Sequence, residues 1–391
     1  MNKLSKKQIL TQIILVVGLF LTWRFFDFLI VFLSPKFIPY LGEFPYLRQL
    51  ILFGNRFFSH FGNFDGIHYL LIAKNGYSQY EQAFFPLFPL LIRYLTPLFG
   101  NELTSGIIIS NLSLFAGIFL LKDSLSLKKT CFICVVVFLL SYPTSFFFGV
   151  VYTEGLFFLL IASTLYFLKK KRYLISGLFA ILASLTRLAG VFLAIPIFFH
   201  LLEEYQISKI KFREFLPNIK NYLLTAPFIG LGAYCYYLYR TTGDPLYFLT
   251  SQPAFGANRS THLIFLPQVY WRYFKIFVTA AHNFPYYISI VEFVFFNFVL
   301  IVLVLDLVKI IRHGKINLAR LGLNLFSFAN LLLPSLTGTF SSIPRYSLMS
   351  LSIFLYISEI ESKWIKMLIL AVFIIFHAIL LGFFSQGYFV S

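Results

Sequence analysis

The chain has 391 residues, of which 59% are hydrophobic and only 12% are charged. Because soluble domains carry about 25% charged residues, this composition excludes an ordinary soluble enzyme and indicates a helical protein with several membrane spans. The net charge of +17 does not indicate nucleic-acid binding, since most Lys and Arg residues lie in short segments between apolar runs, where they set membrane topology.

Apolar runs near 20 residues in length recur along the chain and predict about eleven membrane spans. Lys3, Lys6 and Lys7 precede the first run, so the positive-inside rule predicts a cytoplasmic N-terminus. The run over 173–202 is too long for one helix, and dividing it at Arg187 brings all the Lys-rich loops to the cytoplasmic side. The predicted spans cover 9–33, 104–121, 131–148, 154–168, two within 173–202, 222–239, 286–309, 318–335, 345–358 and 365–384.

Two long segments, 34–103 and 240–284, are predicted to form large extracytoplasmic loops. Inside the first loop, residues 83–99 are apolar but contain three prolines, which argue against a simple spanning helix. We interpret this stretch as an amphipathic or re-entrant helix. The fold class predicted is therefore a single all-α polytopic membrane domain over 1–391.

Carboxylates are scarce, and those beside apolar runs are candidate functional groups because they are costly to place there. Asp65 stands out, since Ile67, Leu70 and Leu71 follow it at the spacing of a short amphipathic helix. Asp65 and His68 would share another face. Asp65 can be a base at the membrane surface or a helix N-cap, and the residues alone leave both open. The other outward carboxylates are Glu43, Glu81, Glu102, Glu154 and Asp244, and Asp27 and Glu292 lie within spans.

A second polar segment runs from Tyr142 to Glu154 and contains three consecutive Phe residues, which are also typical of an aromatic belt. Glu154 can favour a helix N-terminus or pair with Arg187, which can instead bind a phosphate. Arg345 is explained equally well by snorkelling and by phosphate binding. Cys131 and Cys134 have the spacing of a zinc site, but with no second ligand pair nearby we interpret them as core residues.

Six motifs together carry a family likeness, in one order along nearly the whole chain. They are Phe64-Asp65-Gly66-Ile67-His68-Tyr69 with Gly76-Tyr77, Phe85-Pro86-Leu87-Phe88-Pro89, Tyr142-Pro143-Thr144-Ser145 with Tyr152-Thr153-Glu154, Thr186-Arg187, Gly243-Asp244-Pro245-Leu246, and Pro344-Arg345-Tyr346. The chain resembles the PIG-V-type family, the second mannosyltransferases of GPI-anchor synthesis, and its composition suggests a prokaryotic member. It departs from the family at Phe64, where Trp is usual, and Phe255 stands in the region of another usual Trp.

The resemblance implies a GT-C glycosyltransferase that moves a sugar, mannose in this family, from a polyprenyl- or dolichyl-phosphate donor to a lipid-linked or glycan acceptor. The chemistry would take place on the extracytoplasmic side, with Asp65 as the catalytic base. Substrate or phosphate contacts are implied at the other matched residues: His68, Tyr77, Tyr152, Glu154, Arg187, Asp244 and Arg345.

Single displacement inverts the anomeric carbon and needs one essential carboxylate. The predicted outer loops contain no Asp-x-Asp motif, so we expect no metal and no cofactor. The resemblance implies residence in the plasma membrane for a prokaryotic protein or in the endoplasmic reticulum for a eukaryotic one. The main alternative is a secondary transporter or lipid flippase, which also explains many spans and buried charges.

Overall fold

The computed structural model describes residues 3–41, 49–50, 53–54, 56–207, 219–256, 259–312 and 316–390. Within these ranges the protein is all-helical, with 80% helix and no strand, as the sequence predicts. Glu43 lies outside the described residues, as does the basic segment 208–218.

The described ranges contain fourteen α-helices of eight residues or more. They are α1 (Lys3–Leu33), α2 (Asp65–Asn75), α3 (Leu87–Phe99), α4 (Glu102–Ser124), α5 (Lys129–Ser141), α6 (Glu154–Lys169), α7 (Tyr173–Thr186), α8 (Ala194–Ile207), α9 (Ala226–Thr242), α10 (Leu266–Thr279), α11 (Phe284–Arg312), α12 (Leu318–Ser335), α13 (Leu351–Ser358) and α14 (Lys363–Ser385). Four-residue α-helices occur at Arg56–Ser59, Tyr247–Thr250 and Ile343–Tyr346, and short 3-10 helices join several of these elements.

Five helical segments among the described residues are long and apolar enough to cross a membrane. They are Ile13–Lys36, Glu102–Ser124, Leu188–Tyr205, Phe284–Arg312 and Lys363–Ser385. The apolar helices α3, α5 and α7 have only 13 or 14 residues, about 20 Å of helix against a hydrocarbon core of about 30 Å. These helices are those of an integral membrane protein.

Local chain chemistry explains where several helices begin and end. The predicted span over 131–148 is too long, because α5 ends at Ser141 and Pro143 favours an extended conformation at Tyr142 (φ −56°, ψ 140°). The 173–202 run breaks at Arg187, as predicted, where the backbone is extended (φ −155°, ψ 146°). The predicted span over 345–358 is interrupted, since a 3-10 turn at Ser347–Met349 precedes α13.

The apolar stretch that we interpreted as an amphipathic or re-entrant helix forms α3. Its prolines do not prevent the helix, because Pro86 precedes it and Pro89 lies in the first turn, where backbone N–H groups have no intrahelical acceptor. Pro97 lies near its end. One face of α3 buries Phe88 and Ile92, in keeping with an amphipathic helix.

The chain forms two compact units. Unit 1 comprises Met1–Lys74, Phe88–Tyr166 and Ile360–Phe389, and unit 2 comprises Asn75–Leu87, Phe167–Glu359 and Val390–Ser391. In unit 1, α14 packs on α1 and α5, and α1 packs on α4. In unit 2, α9 packs on α7, and α12 packs on α8 and α11. The α7–α9 contact is close because Gly230 lies against the Ile181 carbonyl, 2.3 Å from where a Cβ would stand.

Candidate functional site

Asp65 is the first residue of α2 and follows a residue with left-handed backbone geometry. Phe64 has φ +57°, which is uncommon for an aromatic residue. Its ring packs on Phe384 at 5.6 Å and on Phe389 at 5.3 Å, measured between ring centroids. These contacts fix the turn that places half-buried Asp65 at the start of the helix.

The hydroxyl of Tyr152 joins the two polar motifs that the sequence singles out. It donates a hydrogen bond to the Asn63 carbonyl at 3.0 Å and accepts one from the Asp65 backbone N–H at 3.2 Å. Val151 adds a backbone hydrogen bond to the Phe61 carbonyl at 2.8 Å. Tyr152, which we predicted as a substrate contact, therefore holds the backbone on both sides of Phe64.

The helix predicted after Asp65 is present, but its burial differs from the prediction. Ile67 and Leu70 are fully buried, as expected, whereas Leu71 is only half-buried. His68, expected on the other face with Asp65, is also buried, with 8% of its surface exposed. Because α2 is enclosed on most sides, the backbone that carries Asp65 is held in place.

Glu154 begins α6 and is buried, with 1% of its surface exposed. The positive end of the helix dipole stabilises a carboxylate at this position. The next residue, Gly155, lies so close to α4 that a Cβ would stand 2.4 Å from the Ser110 carbonyl oxygen. The Ser110 hydroxyl in turn donates to the Tyr152 carbonyl at 3.1 Å. The start of α6 is therefore fixed against α4.

The three Phe residues of the second motif are core residues rather than an aromatic belt. Phe146, Phe147 and Phe148 expose 1% of their surface or less. Their close packing holds this short 3-10 turn in unit 1. The Phe147 ring lies 4.8 Å from the ring of Tyr152.

A buried polar chain connects the same turn to two membrane helices. Ser145 Oγ lies 3.0 Å from His377 Nδ1 in α14, and His377 Nε2 lies 2.8 Å from Asp27 Oδ1 in α1. Asp27 Oδ2 accepts from Arg24 Nη1 at 2.9 Å. All four residues are buried. Asp27 lies in a predicted span, but its contact with His377 is not predicted from the sequence. The opposite charges of Arg24 and Asp27, three residues apart, signal only the pairing of these two residues.

In unit 2, the predicted phosphate contacts Arg187 and Arg345 flank one aromatic ring. The guanidinium carbon of Arg187 lies 4.9 Å from the Tyr346 ring centroid, and that of Arg345 lies 5.3 Å from it. Arg345 exposes only 6% of its surface, which argues against a snorkelling side chain. Each guanidinium is a planar fork of donors of the kind that can bind a phosphate.

The turn before Arg345 is held by a buried carboxylate. Glu292 accepts from the Ser342 backbone N–H at 3.3 Å and from the Tyr273 hydroxyl at 2.7 Å. Arg259 Nη2 donates to Ser342 Oγ at 3.4 Å, and Arg259 was not among the predicted site residues. The sequence offers one signal for it: the segment 245–291 contains Arg259 but no Asp or Glu that could neutralise it locally.

Two other predicted substrate contacts make local hydrogen bonds in unit 2. The Tyr77 hydroxyl donates to the Phe84 carbonyl at 2.7 Å, and its ring belongs to an aromatic cluster with Tyr234. Asp244 accepts from the Leu246 backbone N–H at 2.8 Å and from the Thr250 hydroxyl at 3.3 Å. Asp244 thereby shapes the turn that leads into a short helix.

The predicted site residues are divided between the two units. Asp65, His68, Tyr152 and Glu154 belong to unit 1, and Tyr77, Arg187, Asp244 and Arg345 belong to unit 2. Among the described residues, no group of three or more His, Cys, Asp or Glu side chains is arranged to hold a metal ion. No protein-family model and no curated protein matches the chain. The family resemblance therefore stays a prediction.

Proposed function

We propose that the protein is a membrane-embedded glycosyltransferase that uses a polyprenyl- or dolichyl-phosphate sugar, with mannose as the preferred sugar. The observation that carries the proposal is the turn at Asp65, where a scarce carboxylate stands at the start of a buried helix and the Tyr152 hydroxyl holds its backbone. The acceptor is a lipid-linked or glycan hydroxyl on the extracytoplasmic side. The proposal includes the eleven-span topology, the cytoplasmic N-terminus and a GT-C fold.

The proposed reaction is a single displacement at the anomeric carbon. Asp65 accepts the proton of the acceptor hydroxyl as the new glycosidic bond forms. The bond from the anomeric carbon to the phosphate oxygen breaks, and the lipid phosphate leaves with inversion of configuration. The negative charge that develops on the departing phosphate is the kind that cationic side chains stabilise; the resemblance implies Arg187 and Arg345 for this role, and we expect no requirement for a metal ion.

A sugar-transfer assay with the full chain in detergent and a polyprenyl-phosphate mannose donor tests this function. Asp65→Asn preserves size and keeps one acceptor oxygen but cannot accept the proton, and loss of a general base typically costs about 10²–10⁴ in rate. Asp244→Asn is the matched control, because Asp244 shapes a local turn and its loss should reduce transfer less. Added chelator should have little effect.

The controls also separate the proposal from its rivals. An active Asp65→Asn with an inactive Asp244→Asn would move the base to the 240–284 segment. If both variants kept full activity, the mechanism would be wrong. Buried charged groups within helices, such as Arg24 and Asp27, also occur in secondary transporters and flippases. Lipid or solute flux in proteoliposomes without any sugar transfer would favour that class instead.

A further inference from the structure

One face of α14 contacts both polar motifs of unit 1. His377 and Phe384 are seven residues apart, which places them two turns apart on the same face, separated by about 10 Å along the axis. His377 lies against Ser145 of the second motif. The Phe384 carbonyl accepts from the Asn63 side-chain amide at 2.9 Å, next to Asp65.

Both nitrogens of the His377 ring face hydrogen-bond acceptors. Nε2 faces the Asp27 carboxylate at 2.8 Å. Nδ1 faces the Tyr142 carbonyl at 3.3 Å and the Ser145 hydroxyl oxygen at 3.0 Å. The Ser145 hydroxyl also donates to the Leu140 carbonyl. The His377 ring therefore links Asp27 in α1 to the second motif at Tyr142 and Ser145.

The same chain of contacts continues to Arg24. The Asp27 carboxylate lies between the His377 ring and the Arg24 guanidinium, and all three groups are buried. The two neighbours occupy both Asp27 oxygens, so the second motif is held to α1 as well as to α14.

The order Ser145–His377–Asp27 is similar to that of a hydrolase triad, but the site lacks what a nucleophile needs. Ser145 has no exposed surface, and its hydroxyl proton is directed to the Leu140 carbonyl rather than to the His377 ring. A serine nucleophile passes its proton to the histidine. The chain of residues holds structure rather than attacking a substrate.

We propose that His377 is a positioning residue that fixes Asp65 for proton abstraction, by locking the second motif, and with it Tyr152, onto α14. Phe384 on the same helix holds the other side of the Asp65 turn. This inference rests on the proposed function, because it assigns Asp65 as the group being positioned. His377 exposes only 1% of its surface, so it acts through other residues.

His377→Gln tests the proposal, because the amide of Gln can replace at most one of the two ring-nitrogen contacts, to Asp27 and to Ser145. We expect kcat per folded molecule to fall about 10- to 100-fold, the scale for a misplaced reacting group, while KM for the donor stays within about twofold. His200→Gln is the matched control, since His200 lies in α8 beside Glu204 at 3.8 Å, and its kcat should be unchanged.

Hydrogen exchange gives a second measurement that does not require transfer activity. Amides of residues 63–69 should exchange at least about tenfold faster in His377→Gln than in the wild type, and should be unaffected in His200→Gln. Ser145→Ala should also raise the exchange rate of residues 63–69 and lower kcat. If His377→Gln does not fold, this variant tests the positioning role in its place.

Unchanged exchange at 63–69, or an unchanged kcat per folded molecule beside a lower melting temperature, would overturn the positioning role. A raised donor KM with normal kcat would also overturn it. If the wild type transfers no sugar while exchange responds as expected, the proposed function is wrong and the coupling between α14 and the Asp65 turn stands.

Discussion

Removing the hydroxyl of Tyr152 tests whether the two polar motifs of unit 1 act as one structure. The hydroxyl bonds to the Asn63 carbonyl at 3.0 Å and to the Asp65 N–H at 3.2 Å. Tyr152→Phe removes both hydrogen bonds and keeps the ring, which packs 4.8 Å from Phe147. At about 0.5–1.5 kcal/mol for each neutral hydrogen bond, unit 1 should lose about 1–3 kcal/mol of stability.

The same substitution should cost activity for a different reason. Asp65 begins α2 directly after the Phe64 turn, and a looser turn broadens the positions that its carboxylate adopts. A displaced reacting group costs up to about 100-fold in rate. We expect kcat to fall about 10- to 100-fold with an unchanged donor KM, measured by steady-state transfer and normalised to folded protein.

Tyr270→Phe is the matched control. The Tyr270 hydroxyl donates to Asn297 Oδ1 at 2.7 Å in unit 2, so the variant also loses a neutral hydrogen bond and should lose about 0.5–1.5 kcal/mol. Its kcat should equal that of the wild type. If Tyr152→Phe had the same melting temperature and the same kcat as Tyr270→Phe, the Tyr152 hydroxyl would not hold Asp65 in place.

Two further predictions concern stability in unit 2. Gly230→Ala should strongly lower the melting temperature, because the added Cβ would stand 2.3 Å from the Ile181 carbonyl oxygen. Gly232→Ala is the control: its Cβ would meet nothing within 4 Å, so it should stabilise α9 by up to about 1 kcal/mol. Equal melting temperatures for the two variants would contradict the close α7–α9 contact. Burial disfavours the Glu359 carboxylate, but Arg320 and Lys309 outweigh it and lower its pKa from the usual 4.5. The stabilising contribution of Glu359 is therefore complete above about pH 4.5 and is lost as pH falls through the lowered pKa. Glu359→Gln should therefore reduce the fall in melting temperature between about pH 4.5 and lower pH. If the melting temperature of the variant fell as steeply as that of the wild type, the stabilising role of the Glu359 carboxylate would be refuted.

The sequence by itself determined the features that depend on neighbouring residues. The scarcity of charge in long apolar runs was sufficient to predict an all-helical membrane protein. The break at Arg187 and the helix that begins at Asp65 follow from local periodicity and the interruption of apolar runs, and both are present. The helix before Pro143 ends earlier than the predicted span, because a residue that precedes proline favours an extended conformation.

Only the tertiary structure decided which polar residues meet. Tyr152 reaches Asn63 from 89 positions away, and His377 reaches Asp27 from 350 positions away. No periodicity or spacing records such partners, because the contacts depend on how separate helices pack. Packing also buried His68, and it gave Asp244 and Tyr77 local hydrogen bonds. The sequence shows which polar groups are costly to bury, whereas the packing of the helices determines which partner offsets that cost.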